Sequence, residues 1–119
     1  MKDSIVKDKS FEFALNIITV YQQLKLEKEF IIAQQLLKSG TSIGANIEEA
    51  LAGYSLKDFT AKMSISLKES HETSYWLRLI KASKISNINK MEKLILDCKE
   101  LTKILSSIIK TSKLKIKNS

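Results

Sequence analysis

Proline is absent from this 119-residue chain, cysteine and histidine occur once each, and glycine occurs three times. Each scarcity excludes something. Without proline, no residue forbids long uninterrupted helices. A lone Cys98 cannot form an intrachain disulfide, and the opening "MKDSIVKDKS" has charges but no apolar leader segment. Together these features imply a cytoplasmic protein. No apolar run approaches the roughly 20 residues needed to span a bilayer.

The same poverty empties the catalytic inventory. Carboxylate-bridged di-metal bundles take a Glu-x-x-His pair from each of two helices. Here the single His71 has Lys68 three residues before it, so no metal is expected. A thiol nucleophile needs a base beside it. Cys98 lies instead on an apolar seam, where cysteine acts as a small hydrophobe. Glu48 and Glu49 are adjacent, and on a helix they point about 100° apart, not at one substrate. Neither GxxxxGK[ST] nor GxGxxG occurs, so no phosphate-cradling loop or cofactor is expected. The expectation is a protein that is not an enzyme.

What is present is helical. The apolar share is 44% and the charged share 28%, a globular balance, and no stretch alternates with period two. Met91, Leu94, Cys98, Leu101, Leu105 and Ile108 step by three and four along a last helix placed at about 89–112. Asn89 followed by Glu92 is a plausible start. Ser55 with Asp58 three residues on opens a third helix at about 56–84. Its seam is Leu56, Phe59, Met63, Ser66, Ser70, Thr73, Leu77 and Ile80, apolar at both ends and hydroxyl-bearing in the middle. A second helix, about 29–51, has the seam Ala33, Leu36, Gly40, Ile43, Ile47 and Ala50. A first helix, about 10–25, is apolar nearly all round. The break between the first two, near "LKLEKEF", has no glycine, proline, asparagine or serine to mark it. One domain is expected over 1–119: all-α, an antiparallel up-down-up-down four-helix bundle with a basic tail at 113–119.

All three glycines fall within "SGTSIGANIEEALAGYS". Gly53 sits where a glycine would end the second helix in a left-handed conformation. Gly40 and Gly44 fall inside the helical period. Interior glycines cost about 1 kcal/mol each against alanine, so a compensating contact is expected. Folding the second and third helices into a hairpin brings Gly40 near Leu67, between Ser66 and Ser70, and Gly44 near Met63. A bare strip would then meet a small-residue seam, or larger side chains of another helix would fill the gap. Thr41 and Ser42 are expected to bond carbonyls one turn back, an inert role. Asn46 and Glu49 lie one turn further on.

Charge is unevenly spread. Residues 1–55 hold six Lys/Arg and seven Asp/Glu, a net −1, and residues 56–119 hold fourteen and six, a net +8, so the net charge of +7 comes entirely from the second half. A basic half attracts polyanions. Candidate nucleic-acid contacts are Arg78, Lys81 and Lys84 at the end of the third helix, and Lys110, Lys113, Lys115 and Lys117 beyond. The first three also complement a helix dipole, and the tail also reads as a solubilising extension.

"SGTSIGANIEEA" with "KDFTAKMSISLKESHET" after it resembles the signature of the bacterial four-helix-bundle protein family. That family includes proteins encoded within intervening sequences of 23S ribosomal RNA genes, and the accessory variability determinants of diversity-generating retroelements are relatives. Ser42, Ile43, Ala45, Asn46, Ile47, Glu49, Ser55 and Phe59 carry the match. Many members have Glu-Gly where this chain has Glu49-Ala50, and some have proline where Gly44 stands. The resemblance implies a four-helix bundle assembled as a ring, typically a pentamer, with a role tied to RNA or nucleoprotein complexes. Independently, Ile65, Tyr75, Trp76 and Leu79 lie off the third helix's seam, and outward apolar surface marks interfaces. A self-associating protein is therefore expected. A protein-interaction scaffold without nucleic-acid contact is the alternative.

Overall fold

The computed structural model describes residues 2–119. Among them there are four α-helices and no strands: α1 (Lys2–Leu26), α2 (Phe30–Leu51), α3 (Leu56–Ser83) and α4 (Met91–Lys117). They pack side by side in a body 52 × 21 × 20 Å.

Helix α1 starts at Lys2 rather than near residue 10. Val6, Ser10, Phe13, Ile17, Val20 and Leu24 form one continuous buried stripe. The polar look of "KDSIVKDKS" conceals this, because among its described side chains only Val6 and Ser10 are buried. Asp3 in the first turn also suits the positive end of the helix dipole.

The unmarked break after α1 is a complete helix stop. Glu29 N–H donates to the Leu24 carbonyl at 2.9 Å and Lys28 N–H to the Lys25 carbonyl at 3.0 Å. This is the paired closure that ordinarily recruits a left-handed glycine. Lys28 supplies the left-handed residue instead, at φ 64°. Lys84 does the same after α3, at φ 57°. Gly53, expected to be left-handed, is not: among the described residues no glycine has a positive φ. The α2 end closes through the Ala52 N–H, which donates to Glu48 O at 3.2 Å.

Ser55 caps α3, its hydroxyl accepting from the Asp58 N–H at 3.0 Å. Helix α4 begins two residues later than the asparagine signal placed it, with Lys90 at the N-cap and no side-chain cap. It then runs to Lys117, so the stretch read as a basic tail continues the helix.

The core follows the expected seams. Ala33, Leu36, Gly40, Ile43, Ile47 and Ala50 are buried on α2, and Met91, Leu94, Cys98, Leu101, Leu105 and Ile108 on α4. On α3 the buried line runs Thr60, Met63, Ser66, Ser70, Thr73, Leu77, Ile80. Leu56, placed on that seam by its spacing, is 38% exposed, and Thr60 takes the inward place.

The glycines compensate elsewhere than against α3. A Cβ on Gly40 would lie 2.8 Å from Ile17 Cγ2 and 2.9 Å from its Cγ1, and one on Gly44 would lie 3.3 Å from Ser10 Oγ. Both strips therefore face α1, and Ile17 fills the space a side chain would take. The hydroxyl seam of α3 reaches α2 once, where Ser66 Oγ donates to the Ile43 carbonyl at 2.8 Å. Otherwise it faces α4: Thr60 pairs with Ser112, and Ser70 with Thr102 at 2.9 Å. Cys98 Sγ lies 3.2 Å from the Ser70 carbonyl. Each such bond contributes about 1 kcal/mol net, so this seam is held by polar pairing where apolar side chains are sparse.

Candidate interaction surfaces

The cross-helix contacts fix where each surface residue sits. Between α1 and α2, Lys7 meets Glu48 at 3.9 Å while Ile17 lies under Gly40. Lys62 of α3 meets Glu49 at 3.1 Å, and Ser66 meets Ile43. Thr60, Ser70 and Lys81 of α3 meet Ser112, Thr102 and Glu92 of α4. Helix α4 returns to α1, where Lys9 pairs with Glu100 at 2.9 Å. Among the described residues no Cα of α1 comes within 8 Å of one in α3, nor any of α2 within 8 Å of one in α4.

The expected cationic residues are consequently not one cluster. Arg78, Lys81 and Lys84 lie beside the start of α4, whereas Lys110, Lys113, Lys115 and Lys117 lie at its far end. Between Glu92, which Lys81 meets, and Lys110 the helix rises about 27 Å. Lys81 is committed to Glu92. Arg78 Nε donates to Ser74 Oγ at 3.3 Å. Lys84 is the left-handed residue that ends α3.

The residues the sequence reading missed are Lys99 and Lys103. With Lys110, Lys113 and Lys117 they step by four, seven, three and four. On a helix of 3.6 residues per turn they fall within about 80° of arc. The line lies opposite the buried stripe of Leu94, Leu101 and Leu105, and all of these lysines are exposed. The described ion pairs engage Lys7, Lys9, Lys62, Lys81 and Lys93, and none of the five on this line. No acid follows Glu100. The helical period of the lysines was the available signal. Lys115, by contrast, turns off the line and lines a recess with Asp3, Leu56 and Phe59.

The opposite shoulder of α4 is mixed in sign. Asp8, Lys9, Glu12, Lys93, Asp97 and Glu100 line a cleft of about 370 Å³ between α1 and α4. Lys93 donates to Asp97 at 2.7 Å. That bond and the Asp97 charge raise the Lys93 pKa, with Glu100 and Glu12 adding smaller contributions. The acids there are thus answered by a cation already in place.

Two apolar surfaces remain. On α3, Ile65, Tyr75 and Leu79 are 42%, 49% and 38% exposed. Trp76 is half-buried against the core, edge-on to Tyr75 at 5.1 Å, with its indole N–H donating to Glu72. On α1, Phe11, Leu15 and Ile18 are exposed along one line. The two faces belong to helices whose Cα atoms nowhere come within 8 Å of each other.

The polar residues of the central block behave locally. Thr41 Oγ1 donates to Leu37 O and Ser42 Oγ to Lys38 O, each at 2.7 Å, and Asn46 Nδ2 donates to Ser42 O at 2.8 Å. All three bond carbonyls one turn back. Glu49 reaches Lys62. His71 is exposed on α3. Burial pushes the Cys98 thiol up to about 12, against a weaker opposing effect of the Arg78 charge. Such a thiol is inert as a nucleophile. Among the described residues no group of three or more His, Cys, Asp or Glu could hold a metal ion. No helix among them is long and apolar enough to cross a membrane.

These features define an all-helical protein with a cationic rod on one side and separate apolar faces on others. The chain belongs to the 23S rRNA-intervening sequence protein family, whose model matches residues 2–107. It is also similar to a solved protein of unknown function from the S23 ribosomal protein family of Bacteroides thetaiotaomicron VPI-5482. The two are 47% identical with a TM-score of 0.87, over 92% of this chain and 99% of that one. No protein of curated function matches.

Proposed function

We propose that this protein is a non-enzymatic, cytoplasmic, self-associating four-helix bundle of up-down-up-down topology, which binds RNA or a ribonucleoprotein through its basic second half. The observation that carries the reading is the run of exposed, unpaired lysines along α4, joined to a family named for sequences inside a ribosomal RNA gene. Lysines that neutralise no acid of their own are free to displace counterions from phosphates.

Self-association follows from the two apolar faces. A subunit whose α1 line (Phe11, Leu15, Ile18) packs on the α3 face (Ile65, Tyr75, Leu79) of the next makes a head-to-tail contact. Such contacts close into rings when the rotation permits, and the family resemblance implies a pentamer. A ring repeats each copy's α4 on the same side of its wall. Several weak lysine rods then act together through effective concentration.

Light scattering of the purified protein, followed by titration into fluorescent RNA at low salt, tests both parts. The reading expects a closed oligomer and measurable RNA binding. A monomer removes the assembly, and absence of RNA binding at low salt removes the nucleic-acid role. An oligomer that ignores RNA favours a protein-interaction scaffold using the Tyr75–Leu79 face.

A further inference from the structure

Resting on that RNA reading, the geometry points to the kind of RNA: the outer line of α4 is a rail for the phosphate backbone of a double helix, bound without regard to sequence. The line Lys99, Lys103, Lys110, Lys113, Lys117 covers about 27 Å of straight helix. A rod of that length presents a straight row of cations to a backbone that is itself rigid.

The residues absent from the line decide between partners. Recognition of single strands relies on aromatic side chains on which unstacked bases sit. From Met91 to Lys117 there is no aromatic residue. Fully exposed Tyr54 stands apart, in the turn between α2 and α3. Reading of base edges in an open major groove uses arginine, asparagine and glutamine, and lysine only at guanine. The rail has none of the first three, only lysines, which are point charges on flexible stems. Nor can side chains read the deep, narrow major groove of double-helical RNA. What remains is the phosphate backbone, which a duplex presents as two ordered rows.

The experiment uses the full chain and three probes: two unrelated 20-base-pair RNA duplexes and a poly(U) strand with the same number of phosphates. The variants are Lys103→Gln and Lys110→Gln singly, the fivefold Gln replacement of the rail, and Lys81→Gln/Lys84→Gln as the off-rail control. The expected result is equal affinity for the two duplexes and at least about tenfold weaker binding of poly(U). Each single rail variant should lower the slope of log K against log salt by about 1, uniformly across sequences. The control pair should change duplex affinity less than threefold. Circular dichroism confirms folding, and the single variants stand if the fivefold one fails to fold. Preference for poly(U), or discrimination between the duplexes, overturns the rail. Duplex binding that survives the rail variants but is lost in the control pair also overturns it, while leaving RNA binding intact. Failure of the unmodified protein to bind any of the three probes overturns both.

Discussion

Replacing Gly40 by alanine should destabilise the protein, although alanine is the better helix former by about 1 kcal/mol. The reason is the position of Ile17. A new Cβ would sit 2.8 and 2.9 Å from Ile17 Cγ2 and Cγ1. Those atoms branch directly from the Ile17 Cβ and cannot swing aside as a flexible chain end would. Ile17 is fully buried, so α1 and α2 must separate or Ile17 must leave its rotamer. Overpacking of this kind costs about 1–3 kcal/mol. Set against the propensity gain, a net loss of about 1 kcal/mol is expected, or about 4 °C in melting temperature at this chain length. Urea unfolding followed by far-UV circular dichroism measures it. The sharper test is the same change in an Ile17→Ala background, where the offending atoms are gone. There Gly40→Ala should stabilise by about 1 kcal/mol, a coupling of about 2 kcal/mol between the two sites. Stabilisation in the parent protein, or an identical effect in both backgrounds, refutes the idea that Gly40 exists to admit Ile17.

Gly44→Ala meets Ser10 Oγ at 3.3 Å, a contact that a few tenths of an ångström relieve, so its urea midpoint should stay level or rise slightly. Lys28→Gly should raise stability by about 0.5–1 kcal/mol in the same assay, because φ 64° strains any residue with a Cβ. Ser55→Ala should lower it by about 1 kcal/mol through loss of the α3 cap. Cys98 holds its proton in the folded state up to about 12, against an ordinary value of 9.0. The unfolded chain therefore loses that proton first as pH rises. The contribution is fully present below pH 9 and declines toward pH 12, by up to about 1.4 kcal/mol per pH unit. Unfolding curves between pH 8 and 11 should fall more steeply for the parent than for Cys98→Ala, and parallel curves would sink the assignment.

Wherever burial imposed a period, the sequence was readable. The α2 and α4 seams could be named from spacing, since apolar residues recur every three or four positions with few interruptions. The α3 seam from Met63 to Ile80 was named too, its hydroxyls Ser66, Ser70 and Thr73 included, because small polar residues kept the same period, but at its start Leu56 was named where Thr60 is buried. What failed were positions where the backbone's needs were met by an untypical residue. Lys28 performs a glycine's task, so the α1–α2 break left no trace, while Gly53 has an ordinary conformation and the signal there pointed to the wrong geometry. The early start of α1 was hidden because Val6 is flanked by charges. The partner of the glycine strip was misplaced because spacing orders residues on a helix but does not tell which neighbour they meet. Ile17 and Ser66 both approach α2, on different sides. The lysine line was partly legible: the tail was noticed as composition, but it is the helical continuation to Lys117 that aligns it with Lys99 and Lys103.

The salt dependence of binding to an RNA duplex tests the central claim most directly. If α4's lysines dock on phosphates, log K should fall with log salt at a slope on the order of −4 per subunit engaged, corresponding to about five neutralised phosphates. A flat dependence, with affinity unchanged between 50 and 200 mM salt, would contradict it.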